Sequence, residues 1–167
     1  MRVVLAGLLV IVLGCTRGGD RLVVRSDGIG AVRVGMSLRE AGATLGEPLT
    51  ASYADFEGCD YVYPTRLPAG VAFMVLDDTV ARVDVDSAGV LTAEGAGVGD
   101  AEARILALYR GRVRVEPHYY MGPEGHYLVV NTEGDSLSAI IFETDGKRVT
   151  MFRAGRRPAV EYVEGCA

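Results

Sequence analysis

The sequence predicts an α+β protein made of two tandem units, each with one short helix packed on antiparallel β-strands. Three observations predict this class. Segments of alternating apolar and polar residues, typical of half-buried strands, recur along the chain. Two short helical segments are separated by several of these strands, and the turns before the two helices are similar in sequence. The strands of the two units can also join into one continuous sheet.

The first unit spans residues 21–95 and contains the clearest helix signal. Ser37 and Glu40 have the spacing of a capping box, in which each side chain binds the backbone N–H of the other residue. The helix is predicted to continue to about Leu45 and to end at Gly46. Apolar residues at helical spacing then face the sheet.

The second unit spans residues 96–167 and repeats this order. Asp100 is predicted to cap a helix over residues 101–109, which ends before Gly111. The letters VGMS at residues 34–37 resemble VGDA at residues 98–101, an offset of 64. This similarity predicts a tandem duplication.

Strand signals occupy much of the remaining chain, and Asp77-Asp78 is predicted to join two strands in a tight hairpin. In the second of these strands Asp84 and Asp86 alternate with valines, which predicts one buried face and one face in solvent. Arg153, Arg156 and Arg157 form a basic cluster that is predicted to lie in a solvated turn before the C-terminal tail. The predicted strands are residues 21–25, 28–34, 71–76, 79–86, 112–116, 126–131, 138–143 and 147–153.

The helix-opening motif resembles that of a bacterial envelope family. Residues 30–48, which include VRVGMSLREA and LGEP, resemble the opening of small outer-membrane-assembly lipoproteins of the SmpA/OmlA type. They are also similar to the tandem repeats of β-lactamase-inhibitor-like proteins, with a weaker second copy at residues 98–110. The resemblance implies a module of one helix and a β-meander that acts by binding another protein.

The first 14 residues have the pattern of a secretory signal peptide: Arg2, an apolar run too short to span a bilayer, and a small residue at the cut. The letters VLGC ending at Cys15 resemble the bacterial lipobox, which implies lipid on that cysteine. Residues 15–20 then form a polar tether. Thr16 follows Cys15 in place of the aspartate that retains such lipoproteins in the inner membrane, so the resemblance implies an outer-membrane lipoprotein facing the periplasm. The alternative is ordinary secretion.

Composition limits the classes of partner. The formal net charge is −5 at pH 7, which argues against nucleic acid because its phosphates require a basic face. With Cys15 lipidated, only Cys59 and Cys166 remain, and two cysteines left over in an oxidising compartment usually pair. A bridge between them would close a loop of roughly 100 residues and stabilise the fold by roughly 4–5 kcal/mol.

Residues 118–127 form the densest candidate binding segment, since they contain both histidines and three of the eight tyrosines. Glycine and proline between the histidines indicate a turn. We therefore predict His118, Tyr119, Tyr120, His126 and Tyr127 as partner-binding residues, because tyrosines are enriched at interface hot spots. The alternative is that the aromatic side chains pack across neighbouring strands.

No motif indicates catalysis, a cofactor or a metal. A metal site at His118 and His126 with Glu116 or Glu124 has no diagnostic spacing. The sequence predicts a non-enzymatic exported lipoprotein that binds an envelope protein, either as an inhibitor of an extracytoplasmic hydrolase or as an assembly partner. The alternative is a small-ligand-binding or hydrolytic envelope protein that uses the hairpin carrying the two histidines.

Overall fold

The computed structural model describes residues 22–55 and 58–166. The predicted signal peptide, Cys15 and the tether lie outside the described residues. Two α-helices, one 3-10 turn (Ala159–Glu161) and eleven β-strands are found in this part of the chain, so the α+β class is confirmed. The helices are α1 (Leu38–Leu45) and α2 (Glu102–Leu108). The strands are β1 (Val23–Arg25), β2 (Gly28–Ile29), β3 (Val32–Arg33), β4 (Cys59–Val62), β5 (Val71–Leu76), β6 (Thr79–Val85), β7 (Leu91–Thr92), β8 (Val113–Pro117), β9 (His126–Thr132), β10 (Asp135–Thr144) and β11 (Val149–Arg156).

Helix α1 forms where the capping box predicts it. The Ser37 hydroxyl accepts the N–H of Glu40 at 3.3 Å, and the Glu40 carboxylate accepts the N–H of Ser37 at 2.9 Å. The helix ends at Gly46, whose N–H donates to the Gly42 carbonyl at 2.8 Å. Its buried face includes Leu38 and Ala41, which pack into the core.

Helix α2 has the predicted place but a different start. Its N-cap residue is Ala101, and no side chain caps the helix. Asp100, the predicted cap, instead accepts the N–H of Gly97 at 2.9 Å. The aspartate therefore closes the turn before the helix, and that prediction was wrong by one position.

The two helices are attached to hairpins in the same way. In each case two backbone N–H groups donate to carbonyls of a hairpin: that of the glycine in the preceding turn and that of the first helical residue. The carbonyl of the residue after the glycine accepts an N–H from the same hairpin. In the first unit the bonds are Gly35 N–H to Val80 O (2.8 Å), Val80 N–H to Met36 O (2.9 Å) and Leu38 N–H to Asp78 O (2.8 Å). The matching bonds of the second unit are Gly99 N–H to Val149 O (2.9 Å), Val149 N–H to Asp100 O (2.9 Å) and Glu102 N–H to Lys147 O (2.9 Å).

The main sheet has seven strands in the order β4-β5-β6-β11-β10-β9-β8, and every neighbouring pair is antiparallel. Strands from both halves of the chain therefore share one sheet, joined where β6 pairs with β11. A second sheet has the order β3-β2-β1-β7, and its β1 and β7 are parallel. Strands β1, β2 and β3 lie where strands are predicted over residues 21–25 and 28–34, although the second of these segments divides into β2 and β3. Their separate sheet and the strands β4 and β7 are not predicted from the sequence.

Both faces of the main sheet are covered. On one face Phe73, Phe142 and Phe152 are fully buried against a core that includes Ile29 of the small sheet and Ile105 of α2. On the opposite face the chain after β11 packs against the strands. There Val160 joins a smaller buried cluster with Tyr127, Val129, Ala139 and Ile141.

Candidate functional site

The candidate site is built around the loop between β8 and β9, which carries the tyrosine-rich segment. The loop is closed by backbone bonds from the His118 N–H to the Gly125 carbonyl at 2.9 Å and from the Gly125 N–H to the Met121 carbonyl at 2.8 Å. Tyr119 is 77% exposed and Tyr120 is 60% exposed, whereas Tyr127 on β9 is buried. The predicted binding residues therefore separate into an exposed pair and a buried ring.

His118 holds this loop from beneath. Its Nδ1 accepts the backbone N–H groups of Tyr120 (3.1 Å) and Met121 (3.2 Å), so the ring hydrogen lies on Nε2. Nε2 donates to the Glu143 carboxylate at 3.1 Å, and the ring stacks on Tyr127 with centroids 4.4 Å apart. His118 is buried, and its hydrogen bonds hold the backbone of the loop that carries the exposed tyrosines.

His126 does not join His118 in a common site. Its Nδ1 is 3.1 Å from the carboxylate of Glu102, at the start of α2, whereas His118 binds Glu143. Within residues 22–55 and 58–166, no group of three or more histidine, cysteine, aspartate or glutamate side chains is arranged to hold a metal ion. Each histidine therefore binds a different carboxylate within the fold.

The exposed tyrosines form one wall of a groove of about 500 Å³, which we call the aromatic groove. Its other wall is the C-terminal tail, residues 158–166, which the predicted disulfide between Cys59 and Cys166 joins to β4. The groove is lined by Cys59, Leu76, Tyr119, Tyr120, Tyr162, Val163, Glu164, Gly165 and Cys166.

The two walls contact each other directly. The Tyr120 hydroxyl donates to the Glu164 carboxylate, and this bond raises the pKa of Tyr120 to about 12. The Tyr119 and Tyr120 rings meet edge to face with centroids 5.0 Å apart. Tyr162 and Val163 on the tail are 40% and 38% exposed. The hydrogen bond between the two walls thus accompanies an apolar surface that is exposed to solvent on both of them.

Two buried arginines hold the tail in place. Arg82 donates from Nη1 to the carbonyls of Ala159 (2.9 Å) and Tyr162 (2.7 Å). Arg153 donates from Nε to the Val160 carbonyl at 2.7 Å. Each arginine is only 2% exposed, so the prediction of a solvated Arg153 was wrong. The tail covers this part of the sheet and supplies carbonyl acceptors to its guanidinium groups.

Carboxylates complete this buried cluster. Arg82 Nε donates to Asp84 at 2.9 Å, and Arg153 Nη1 donates to Glu143. Asp84 is 8% exposed, so the prediction that it faces solvent was wrong, whereas Asp86 is exposed as predicted. Burial raises the pKa of Asp84 against the opposing effect of Arg82. The ion pair with Arg82 thus provides Asp84 with a partner for its charge inside the fold.

A second cavity of about 300 Å³ opens above this cluster, and we call it the ionic pocket. It shares residues Val163, Glu164 and Gly165 with the aromatic groove, so the tail forms a ridge between the two. Gly165 has φ +69°, and a Cβ there would lie 2.6 Å from the Tyr61 hydroxyl. A side chain at this position would therefore require either the Tyr61 ring or the tail to shift.

Several residues of the site are missed by the sequence interpretation. Four of these residues line the groove only because the tail returns across the sheet: Leu76, Tyr162, Val163 and Glu164. The predicted disulfide is the signal that indicates this return, but it does not say which face the tail covers. An arginine in the apolar strand β11 is the second signal, because a charge there requires buried acceptors.

Comparison of the chain with protein-family models, curated proteins and solved structures finds no match. The resemblance of residues 30–48 to envelope lipoproteins therefore stays a prediction. Among the described residues, neither helix has the length and apolar character that crossing a membrane requires.

Proposed function

We propose that this protein is a non-enzymatic lipoprotein of the cell envelope that binds another protein through the aromatic groove. The observation that carries the proposal is the exposure of Tyr119 and Tyr120 beside Tyr162 and Val163. Tyrosines supply large contact area at low entropic cost and are enriched at hot spots. Here the disulfide joins the tail to β4, and His118 accepts the backbone N–H of Tyr120, so both walls of the groove are in place before a partner binds, which lowers the entropic cost of binding.

The disulfide also supports export. Disulfides persist in oxidising compartments and are rare in the cytosol, where thiols are kept reduced. The apolar segment before Cys15 has the pattern of a cleaved signal, and the VLGC motif resembles a lipidation site. Lipid on Cys15 would attach the domain to a membrane, by the resemblance the outer membrane on its periplasmic side.

We further propose that the two helix-and-sheet units are tandem copies. The matched attachment of α1 and α2 to their hairpins supports this, since three backbone bonds have equivalent partners in both units. The turn glycines Gly35 and Gly99 also share φ values of +94° and +91°. The copies are then residues 21–95 and 96–167.

The small-ligand alternative has less support. It relies on the hairpin that carries His118 and His126, and both rings are hydrogen-bonded to carboxylates of the fold. The carboxylates Asp84 and Glu143 in the ionic pocket are paired with Arg82 and Arg153.

The binding proposal is tested by crosslinking in intact envelopes with the anchored protein as bait. Tyr119→Ala/Tyr120→Ala should lower capture of a specific partner by tenfold or more, since hot-spot truncation costs about 1 kcal/mol or more per residue. The matched control is Val115→Ala/Leu137→Ala, which removes apolar side chains of 48% and 52% exposure outside the groove. Equal capture by both variants would contradict the proposal, provided their thermal midpoints match.

The anchor is tested separately by Cys15→Ala. Loss of the acyl chains should move the protein from the membrane to the soluble fraction, because each buried methylene contributes about 0.8 kcal/mol to membrane attachment. Cys15→Ala protein that stays in the membrane fraction would refute the lipid anchor.

A further inference from the structure

We propose that the segment recognised by the aromatic groove is basic as well as apolar: an aromatic or aliphatic residue enters the groove, and a neighbouring lysine or arginine crosses the tail ridge into the ionic pocket. This inference rests on the proposed protein-binding function and names the chemistry of the partner.

The aromatic groove and the ionic pocket are contiguous. Val163, Glu164 and Gly165 line both the aromatic groove and the ionic pocket. Tyr162 and Val163 expose apolar surface on this ridge, and Glu164 is exposed beside them. An extended segment lying across the ridge therefore contacts both cavities at once, with one side chain on each side.

The ionic pocket has an excess of negative charge. The ionic pocket is lined by four carboxylates, those of Asp84, Asp86, Glu143 and Glu164, but by only two cationic side chains. Both arginines point their N–H groups at acceptors within the fold: Asp84, Glu143, the Tyr61 hydroxyl and three tail carbonyls. They do not offset the other two acids.

Asp86 and Glu164 carry the excess negative charge. Both are exposed, and within residues 22–55 and 58–166 neither forms a salt bridge. Both line the ionic pocket and form its acidic rim. A lysine or arginine on the partner is attracted to this rim, whereas an acidic segment is repelled.

The experiment uses a random dodecapeptide phage library as the probe, panned on the oxidised protein and counter-selected on Tyr119→Ala/Tyr120→Ala. The expected result is enrichment of peptides with lysine or arginine within a few residues of an aromatic or aliphatic residue. Enrichment of acidic or uncharged peptides would overturn the inference, and so would the absence of any peptide enriched over the variant.

A selected peptide is then tested for where its charge binds. Asp86→Asn/Glu164→Gln should weaken its affinity by about fivefold or more, since each removed charge pair contributes modestly at a partly exposed site. The amide introduced by Glu164→Gln keeps an acceptor for the Tyr120 hydroxyl, so the groove is preserved. The matched control is Asp55→Asn/Glu133→Gln, which removes two exposed charges outside both cavities.

The two proposals fail in different ways. If Asp86→Asn/Glu164→Gln binds the peptide as tightly as the unchanged protein does, the charge inference is wrong, while envelope capture that depends on Tyr119 and Tyr120 still stands. If the tyrosine variant captures its envelope partner normally, the proposed function itself is wrong.

Discussion

The buried cluster beneath the C-terminal tail gives the sharpest prediction for stability. Arg153 is 2% exposed, and it donates to the Val160 carbonyl and to the Glu143 carboxylate. Its guanidinium carbon lies 5.6 Å from the centre of the Tyr127 ring. Arg153→Met keeps an unbranched stem of similar length and removes the charge together with all its hydrogen bonds.

The magnitude follows from what the substitution leaves behind. Glu143 is 9% exposed and would lose its cationic partner, while the Val160 carbonyl would lose its donor. Breaking a buried ion pair by removing one partner costs about 3–5 kcal/mol. We therefore expect Arg153→Met to lower the free energy of unfolding by about 3–5 kcal/mol. Arg153→Met/Glu143→Gln removes both charges and should cost about 1–3 kcal/mol less than the sum of the single changes.

The assay is equilibrium unfolding in urea with the disulfide intact, in which the midpoint and the slope are both measured. Arg156→Met is the matched control: Arg156 lies in the same strand but is exposed, so its replacement should change stability by less than about 0.5 kcal/mol. A cost below about 1 kcal/mol for Arg153→Met, or strict additivity in the double variant, would refute the role given to this cluster.

Three further predictions concern other parts of the fold. Cys59→Ala/Cys166→Ala opens a loop of 107 residues and should cost about 4.8 kcal/mol, or roughly 10–20 °C in the thermal midpoint measured by calorimetry. If the two units are copies, Gly35→Ala and Gly99→Ala should each cost about 1–2 kcal/mol in urea unfolding, because both glycines have positive φ with open space around them; unequal costs would contradict equivalence. Backbone N–H groups of Ser52, Tyr53 and Tyr61 lower the pKa of Asp60, so its stabilising effect is present above the unfolded value near 3.8 and is lost as the pH falls through the lower folded value. Asp60→Asn should therefore flatten the pH dependence of the free energy of unfolding below the unfolded value, measured by urea unfolding across a series of acidic buffers.

The parts of the fold that were predicted correctly depend on neighbouring residues. Helix α1 follows from a capping box whose two members are three positions apart and from a glycine at its end. Strand β5 has its predicted bounds, and Asp77 and Asp78 form the expected turn with positive φ values of 46° and 59°. In each case the signal and the structure it specifies lie within a few residues.

The errors share a different origin. Ala101 occupies the N-cap position of α2, and the Asp100 side chain instead accepts a hydrogen bond in the preceding turn. The sequence pattern does not indicate which of these two places the aspartate takes. Strand β4 is an edge strand of four residues that mixes polar and apolar side chains, so it has no clear period of two. Strand β7 has two residues and exists only because β1 pairs with it.

The candidate site was predicted only in part, because some of its features are local in sequence and others are not. The tyrosine-rich loop and the disulfide are both visible as local features, but the surface between them depends on how the tail returns. Few apolar residues hold the tail: of the described residues after β11, only Ala159 and Val160 are buried hydrophobic residues. Its position is instead determined by Arg82, Arg153 and the bridge to Cys59. The alternating pattern of β6 predicts that the Asp84 side chain faces solvent, because no neighbouring residue in the sequence indicates that the tail covers this face of the sheet. The same tail buries the charges on one side and exposes Tyr162 and Val163 on the other, so the stability of the ionic cluster and the shape of the aromatic groove are expected to change together.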